Sequence, residues 1–148
     1  MKQATFYALL FGFFMSALSA RVFASPPDFG DIQVSELIRV YDGDTFTVNL
    51  ADWPAIIGHE INVRVSGADT PEIRGKCHQE KQLAKQAKRF TLNTLSSAKQ
   101  ITLTQIQRDK YFRILAVVLI DGIDLADLLI QHNLAVRYQG GKKQNPWC

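Results

Sequence analysis

The chain has 148 residues, with 17 Lys and Arg against 14 Asp and Glu and a formal charge of +3. That length supports one domain with a real core. Lys2 and Arg21 fall in an N-terminal segment read below as removable, which leaves 15 basic residues against 14 acidic ones. Global basicity is therefore no evidence for a nucleic-acid partner, and only the placement of the charges counts.

Lys2 precedes an apolar run from Ala4 to Leu18, rich in Phe and Leu, and Val22-Phe23-Ala24 puts Val and Ala where a signal peptidase reads. This predicts a secretory signal peptide, residues 1–24, cleaved after Ala24. The run is short for a membrane span of about 20 residues, so a retained anchor is the lesser alternative. No Cys lies near the cleavage site, which argues against a lipoprotein. The expected product, residues 25–148, is secreted or periplasmic and has no membrane anchor.

Ser25–Gly30, with Pro26 and Pro27, reads as an extended leader. Leu37–Tyr41 and Thr45–Leu50 alternate as strands around Asp42-Gly43, a hairpin signal because Gly accepts positive φ at little cost. Ala51–His59, with Trp53, Pro54 and Gly58, reads as a loop. Ile61, Val63 and Val65 then alternate with Asn62, Arg64 and Ser66, so Arg64 faces away from the side that Val63 and Val65 bury. His78 to Ala98 is predicted helical, with Leu83, Ala87, Phe90 and Thr94 on its inner face. Ile101–Ile106 is a strand, and the apolar Ile114–Ile120 is expected to be a central strand buried on both sides. Asp124 is placed to N-cap a helix carrying Leu125, Leu128 and Leu129, and Asn133 to stop it.

The order is three strands, a helix, two strands and a helix, without repeats or an internal linker. This predicts an α+β, mainly β fold: a five-stranded OB-type barrel with two to three helices. The core is expected over residues 33–138, followed by a C-terminal tail, 139–148. Such barrels bind oligonucleotides across an open face.

Both cysteines, Cys77 and Cys148, lie in the mature part. Export makes a Cys77–Cys148 disulfide the default, with two free thiols as the alternative. The bond would close a loop of about 70 residues, worth about 4 kcal/mol in the chain-entropy model.

Some charged residues are poorly explained by structure. Asp44 is a second carboxylate where β-formers are expected to take over. Asp69-Thr70-Pro71-Glu72 puts two more at a strand end. If the third strand pairs beside the first hairpin, Asp44 and Asp69 converge, and two carboxylates with a backbone carbonyl suit Ca²⁺ or Mg²⁺ rather than Zn²⁺. His59, His78 and His132 have no metal-ligand spacing and read as surface or second-layer residues. Arg113, at the mouth of the apolar strand, needs an anionic partner, either a structural carboxylate or a ligand. Two arginines, an acid pair and one further carboxylate form a parts list for phosphodiester hydrolysis.

This combination resembles the staphylococcal nuclease family. The matching residues are Asp42-Gly43-Asp44-Thr45, Arg64 with Asp69-Thr70-Pro71-Glu72, Asp109-Lys110-Tyr111 with Arg113, and Asn133-Leu134-Ala135. The resemblance covers about residues 33–138 and implies an OB barrel with helices. It also implies calcium-dependent cleavage of DNA and RNA at the 5′ P–O bond, leaving 3′-phosphates. By resemblance Asp44, Asp69 and the Thr70 carbonyl hold Ca²⁺, Glu72 is the general base or orients the attacking water, and Arg64 and Arg113 clamp the phosphate. Lys110 and Tyr111 are expected to touch the nucleotide. The chain is expected to act as a monomer without a stable protein partner.

Three departures stand out. Phe112 occupies a position where the family archetype has Gly, and either narrows the site, stacks on a base or packs against the helix. The Ile73–Cys77 loop is shorter than the archetype's, and Arg74 and Lys76 add positive charge to it. The tail Gly140-Gly141-Lys142-Lys143 with Trp147 either leans on the substrate or simply tethers Cys148. The main alternative to a nuclease is an OB-fold module that binds nucleic acid with little catalysis. A calcium or envelope-binding domain on the same scaffold would leave Arg64 and Arg113 without a role.

Overall fold

A computed structural model describes residues 29–109 and 111–148. The expected signal segment and Lys110 lie outside the described residues. In chain order the elements are β1 (Ile32–Gln33), β2 (Glu36–Val40), β3 (Thr45–Asn49), α1 (Ala55–Gly58), β4 (Ile61–Val65), β5 (Gly67–Asp69), α2 (His78–Ser97), β6 (Ile101–Arg108), β7 (Ile114–Ile120), β8 (Ile123–Asp124), α3 (Leu125–Gln131) and β9 (Val136–Tyr138).

The main sheet runs β1-β6-β7-β4-β3-β2, with β8 folded back on β7, while β5 and β9 pair separately. β4 and β7 are parallel, and their neighbours β3 and β6 join them antiparallel. In β6, Gln105 takes φ 51° and the register shifts between Thr104 and Gln107. A bulge of this kind bends a strand and strengthens its twist. The result is a curled mixed sheet, a half-barrel of the OB type with three helices. The expected α+β fold class holds, but the simple count of five strands misses the short β1, β5, β8 and β9. Two or three residues carry too little alternation to show as strands.

Phe46 and Val48 of β3, Val63 and Val65 of β4, and Leu103 and Val118 from the second hairpin meet under α2 and α3. β7 is central as expected, yet only alternate residues, Ile114, Ala116, Val118 and Ile120, are fully buried. Its second side is half-covered rather than closed.

The inner face of α2 is rotated from the expected one: Glu80, Ala84, Ala87, Thr91 and Leu95 are buried, with Leu83, Phe90 and Thr94 at its edge. Small residues at the centre let the helix sit close to the first hairpin. Thr91 Oγ1 donates to the Gly43 carbonyl at 2.6 Å. A Cβ at Gly43 would lie 2.7 Å from both Ala87 Cβ and Thr70 Cγ2. Gly43 is absent from the positive-φ glycines, so close approach and not turn geometry is what requires glycine there.

Asp124 caps α3 by accepting from the Ala126 N–H at 2.8 Å. At the far end Asn133 adopts φ 58°, with Asn133 N–H on the Ile130 carbonyl and Leu134 N–H on that of Leu129. These two bonds form a Schellman cap. It turns Asn133-Leu134-Ala135 directly into β9, the strand that holds β5.

Candidate active site

Asp44 stands at the entry to β3, where the hairpin turn leads into the sheet. Thr45 pairs with Arg64, so β3 and β4 lie side by side and Asp44 reaches the outward face of β4. Arg64 points away from the core side of Val63 and Val65. After it, Gly67 at φ 84° starts β5, which pairs Asp69 with Val136 of β9. A separate two-stranded ribbon thus brings Asp69 back over Arg64.

The convergence is direct. Arg64 binds Asp44 Oδ1 through Nη1 and Asp69 Oδ1 through Nη2, the latter at 2.9 Å. Asp44 Oδ2 accepts the Thr70 N–H at 3.0 Å, and Thr45 Oγ1 donates to Asp44 Oδ1 at 3.0 Å. Asp44 and Asp69 are 1% and 3% exposed, and these donors offset the cost of burying their carboxyl groups. Burial disfavours the Arg64 cation, but the flanking Asp44 and Asp69 carboxylates outweigh it and raise its pKa. Burial and the adjacent Asp44 carboxylate push Asp42 up to about 7.

A cleft of about 550 Å³ opens above this pair, lined in part by Asp44, Arg64, Thr70, Glu72, Tyr111 and Arg113. Glu72 stands at its edge with its side chain 59% exposed. Arg113 enters from the start of β7 and is held by Asp109, which accepts from its Nε at 2.7 Å and its Nη2 at 2.6 Å. Asp109 also accepts the backbone N–H groups of Tyr111 and Arg113. Burial favours a neutral Asp109, but these bonds, the Arg113 side chain first, hold its pKa below the usual value. Arg113 lies over the Tyr111 ring, 5.3 Å from its centroid.

Of the expected set, Asp44, Thr70, Arg64, Glu72, Tyr111 and Arg113 line one cleft, Asp69 joins them through its bond to Arg64, and Lys110 lies outside the described residues. The histidines are exposed, and the His132 ring packs on Phe90 at a 45° tilt with centroids 4.6 Å apart. Phe112 does not pack against a helix: it is 63% exposed, at φ 63°, with the Arg108 guanidinium 4.1 Å from its ring centroid. A bulky side chain in that region is strained where glycine would not be.

Four residues escaped the sequence reading of the site. Asp42 passes there as a turn residue, and Asp109, four positions before Arg113, as part of a matching motif without a role. Glu80 is buried at 3% and accepts the N–H groups of Lys76 at 2.8 Å and Glu72 at 3.4 Å and the Asn145 amide at 3.2 Å. Burial alone would raise its pKa, but these bonds, Lys76 first, lower it. A Cβ on Gly75 would fall into the Glu80 carboxyl. Glu80 therefore organises the loop that carries Glu72. Its signal was Cys-x-x-Glu at the start of α2: Cys77 caps the helix and its sulfur accepts the Glu80 N–H. The fourth is Lys143, which the sequence offers only within a tail that leans on the substrate or tethers Cys148; its Nζ lies 2.9 Å from Asp69 Oδ1 and 2.9 Å from Glu72 Oε1. Nothing local to residue 143 announces that contact.

Cys77 and Cys148 are joined in a disulfide across 71 positions. Their sulfurs and Glu80 lie within 4.8 Å of one another, but the bond between the sulfurs makes this a staple rather than a ligand set. Among the described residues no helix is long and apolar enough to cross a membrane.

The family model described as staphylococcal nuclease homologue matches residues 62–146, more than half of the 148. The chain belongs to the staphylococcal nuclease family. A search of the curated proteins returned no match. The matched span contains Arg64, Asp69, Thr70, Glu72, Tyr111 and Arg113 and begins after Asp44. Asp44 joins the set through its bonds to Arg64 and Thr70.

Proposed function

We propose that this chain is an exported, calcium-dependent nuclease that hydrolyses phosphodiester bonds of DNA and RNA with little sugar specificity. The observation that carries the reading is the single Arg64 guanidinium joining two buried carboxylates at the floor of a cleft that also holds Glu72 and Arg113. A purely structural ion pair has no need of a cleft, a further carboxylate and a second arginine around it.

The donor set fits a hard divalent cation. Asp44 and Asp69 supply carboxylate oxygens, Thr70 follows Asp69 directly, and no His or Cys among the described residues lines the cleft. Oxygen-only ligands suit calcium and disfavour zinc. When bound, the ion supplies positive charge against the phosphate oxygens.

The chain's own residues do the rest. Arg64 and Arg113 donate N–H groups to the non-bridging phosphate oxygens, which carry more charge in the transition state than in the ground state. Asp109 holds Arg113 in orientation through two guanidinium contacts. Glu72, exposed to water at the cleft edge, accepts a proton from the attacking water as its oxygen bonds to phosphorus. The P–O5′ bond breaks, the phosphate stays on the 3′ oxygen, and the departing oxygen takes a proton from solvent. Tyr111, exposed beside Arg113, offers a ring face and a hydroxyl to the nucleotide. Residues 1–24 are proposed as the export signal, with the product secreted or periplasmic and monomeric.

The test is cleavage of single-stranded DNA, duplex DNA and RNA by the purified protein in Ca²⁺, Mg²⁺ and EDTA, with Glu72→Gln alongside. Activity that needs Ca²⁺ and disappears in the variant supports the reading. Salt-sensitive DNA binding without cleavage would replace it with a binding module.

A further inference from the structure

The tail enters the site, and its path has a clear construction. β9 anchors its start against β5. Its end is anchored three times: by the Cys77–Cys148 bond, by the Asn145 amide on Glu80, and by Trp147, which is 9% exposed. Between these anchors Gly140 and Gly141 turn the chain at φ 97° and 86°. The strap so formed lays Lys143 across the cleft edge.

Asp69 Oδ1 receives two donors, Arg64 Nη2 and Lys143 Nζ, each at 2.9 Å. A carboxylate oxygen offers about two lone-pair sites. Both are taken, so a cation cannot share that oxygen unless one donor leaves. Arg64 is fixed by two buried carboxylates and its side chain is 13% exposed. Lys143 is 43% exposed and hangs on a glycine turn. Of the two donors, Lys143 is the less constrained. The same ammonium holds Glu72 Oε1, the group that must accept a proton.

We propose that Lys143 is a residue of the site: an ammonium delivered by the disulfide-tethered tail, which holds Asp69 and Glu72 in the cation-free chain and competes with the divalent cation for them. This rests on the cation-site reading above. Because the tail is tied at both ends, the competition is intramolecular and its strength follows the effective concentration of the tethered lysine. Opening the disulfide removes the covalent one of the three anchors at that end and weakens the competition. Lys143 is thus a positioning residue, setting both cation affinity and the access of water to Glu72.

Calcium titration calorimetry of the purified protein tests this without reference to activity. Lys143→Met keeps the alkyl stem and removes the charge. It is expected to bind Ca²⁺ about tenfold more tightly than the parent, a change of about 1.4 kcal/mol. Lys142→Met makes the same change in net charge on an exposed neighbour and is expected to stay within about twofold. Dithiothreitol is expected to tighten binding by the parent and to leave Lys143→Met unchanged, because the two act through one contact. Equal or weaker affinity in Lys143→Met would overturn the proposal while leaving the cation site standing. Absence of calcium binding in both proteins would overturn the cation site and this inference together.

Discussion

The site has a floor and a rim, and they are built differently. Asp44, Asp69 and Arg64 form the floor on β3, β4 and β5, nearly out of solvent and bonded to one another and to Thr70. Glu72, Tyr111 and Lys143 form the rim on loops and tail, with Glu72 and Tyr111 more than half exposed. Floor residues cannot move without unpairing a buried charge. Rim residues can move at little cost. The floor is therefore part of folding, and the rim is free to serve the proposed chemistry and access.

The largest expected effect separates the two by breaking the rim. Glu72→Gln is expected to lower the cleavage rate about 10² to 10⁴-fold, the usual contribution of a positioned base. Its melting temperature is expected to stay close to the parent's, because an exposed substitution rarely moves stability by more than about 0.5 kcal/mol. A large loss of stability would show that Glu72 belongs to the floor.

Breaking the floor is expected to do the opposite first. Arg64→Met leaves Asp44 and Asp69 facing each other without their shared cation, and denaturant unfolding in EDTA is expected to register a loss of about 3 kcal/mol. Calcium is expected to restore part of it, since a cation at the same carboxylates binds the folded chain alone. No restoration would sharpen the comparison against a cation site.

The floor also depends on how closely α2 approaches the hairpin. Gly43→Ala forces a Cβ to 2.7 Å from Ala87 and Thr70, and such overpacking typically costs about 1–3 kcal/mol. Thermal unfolding reads it directly, and an unchanged melting temperature would refute the close-approach account of Gly43.

The smallest effect concerns Asp109, between floor and rim. Its folded pKa lies below the ordinary value of 3.8. A depressed carboxyl contributes stability above its unfolded pKa and loses it as pH falls through the folded one. Asp109→Asn is therefore expected to flatten the fall of melting temperature below about pH 4 and to change little at pH 7 beyond the lost Arg113 bonds. An unchanged acid limb would mean that other carboxylates set it.

Much of the floor was legible because its residues carry local signals. Asp44 stood out as an acid inside a strand pattern, and Arg64 as a charge on the outward register of Ile61–Val65. Their pairing followed once β3 and β4 were neighbours. The helices were legible by caps, Asp124 and Asn133 above all. The inner face of α2 was not, because Glu80 and Ala84 read as outward or neutral by hydropathy while the helix was seated by close contact. The short β5 and β9 were invisible for want of length, although they deliver Asp69.

The sequence by itself determined the family, the strand and helix order and the identity of the acids and arginines, because these follow from periodicity, capping and motif spacing within a few residues of each other. Tertiary structure alone decided that Glu80 braces the loop of Glu72 and that Lys143 lies between Asp69 and Glu72. Those contacts join residues far apart in the chain or buried for another's benefit. The Lys143 contacts are made where β5 meets β9 and the Cys77–Cys148 bond returns the tail to the cleft.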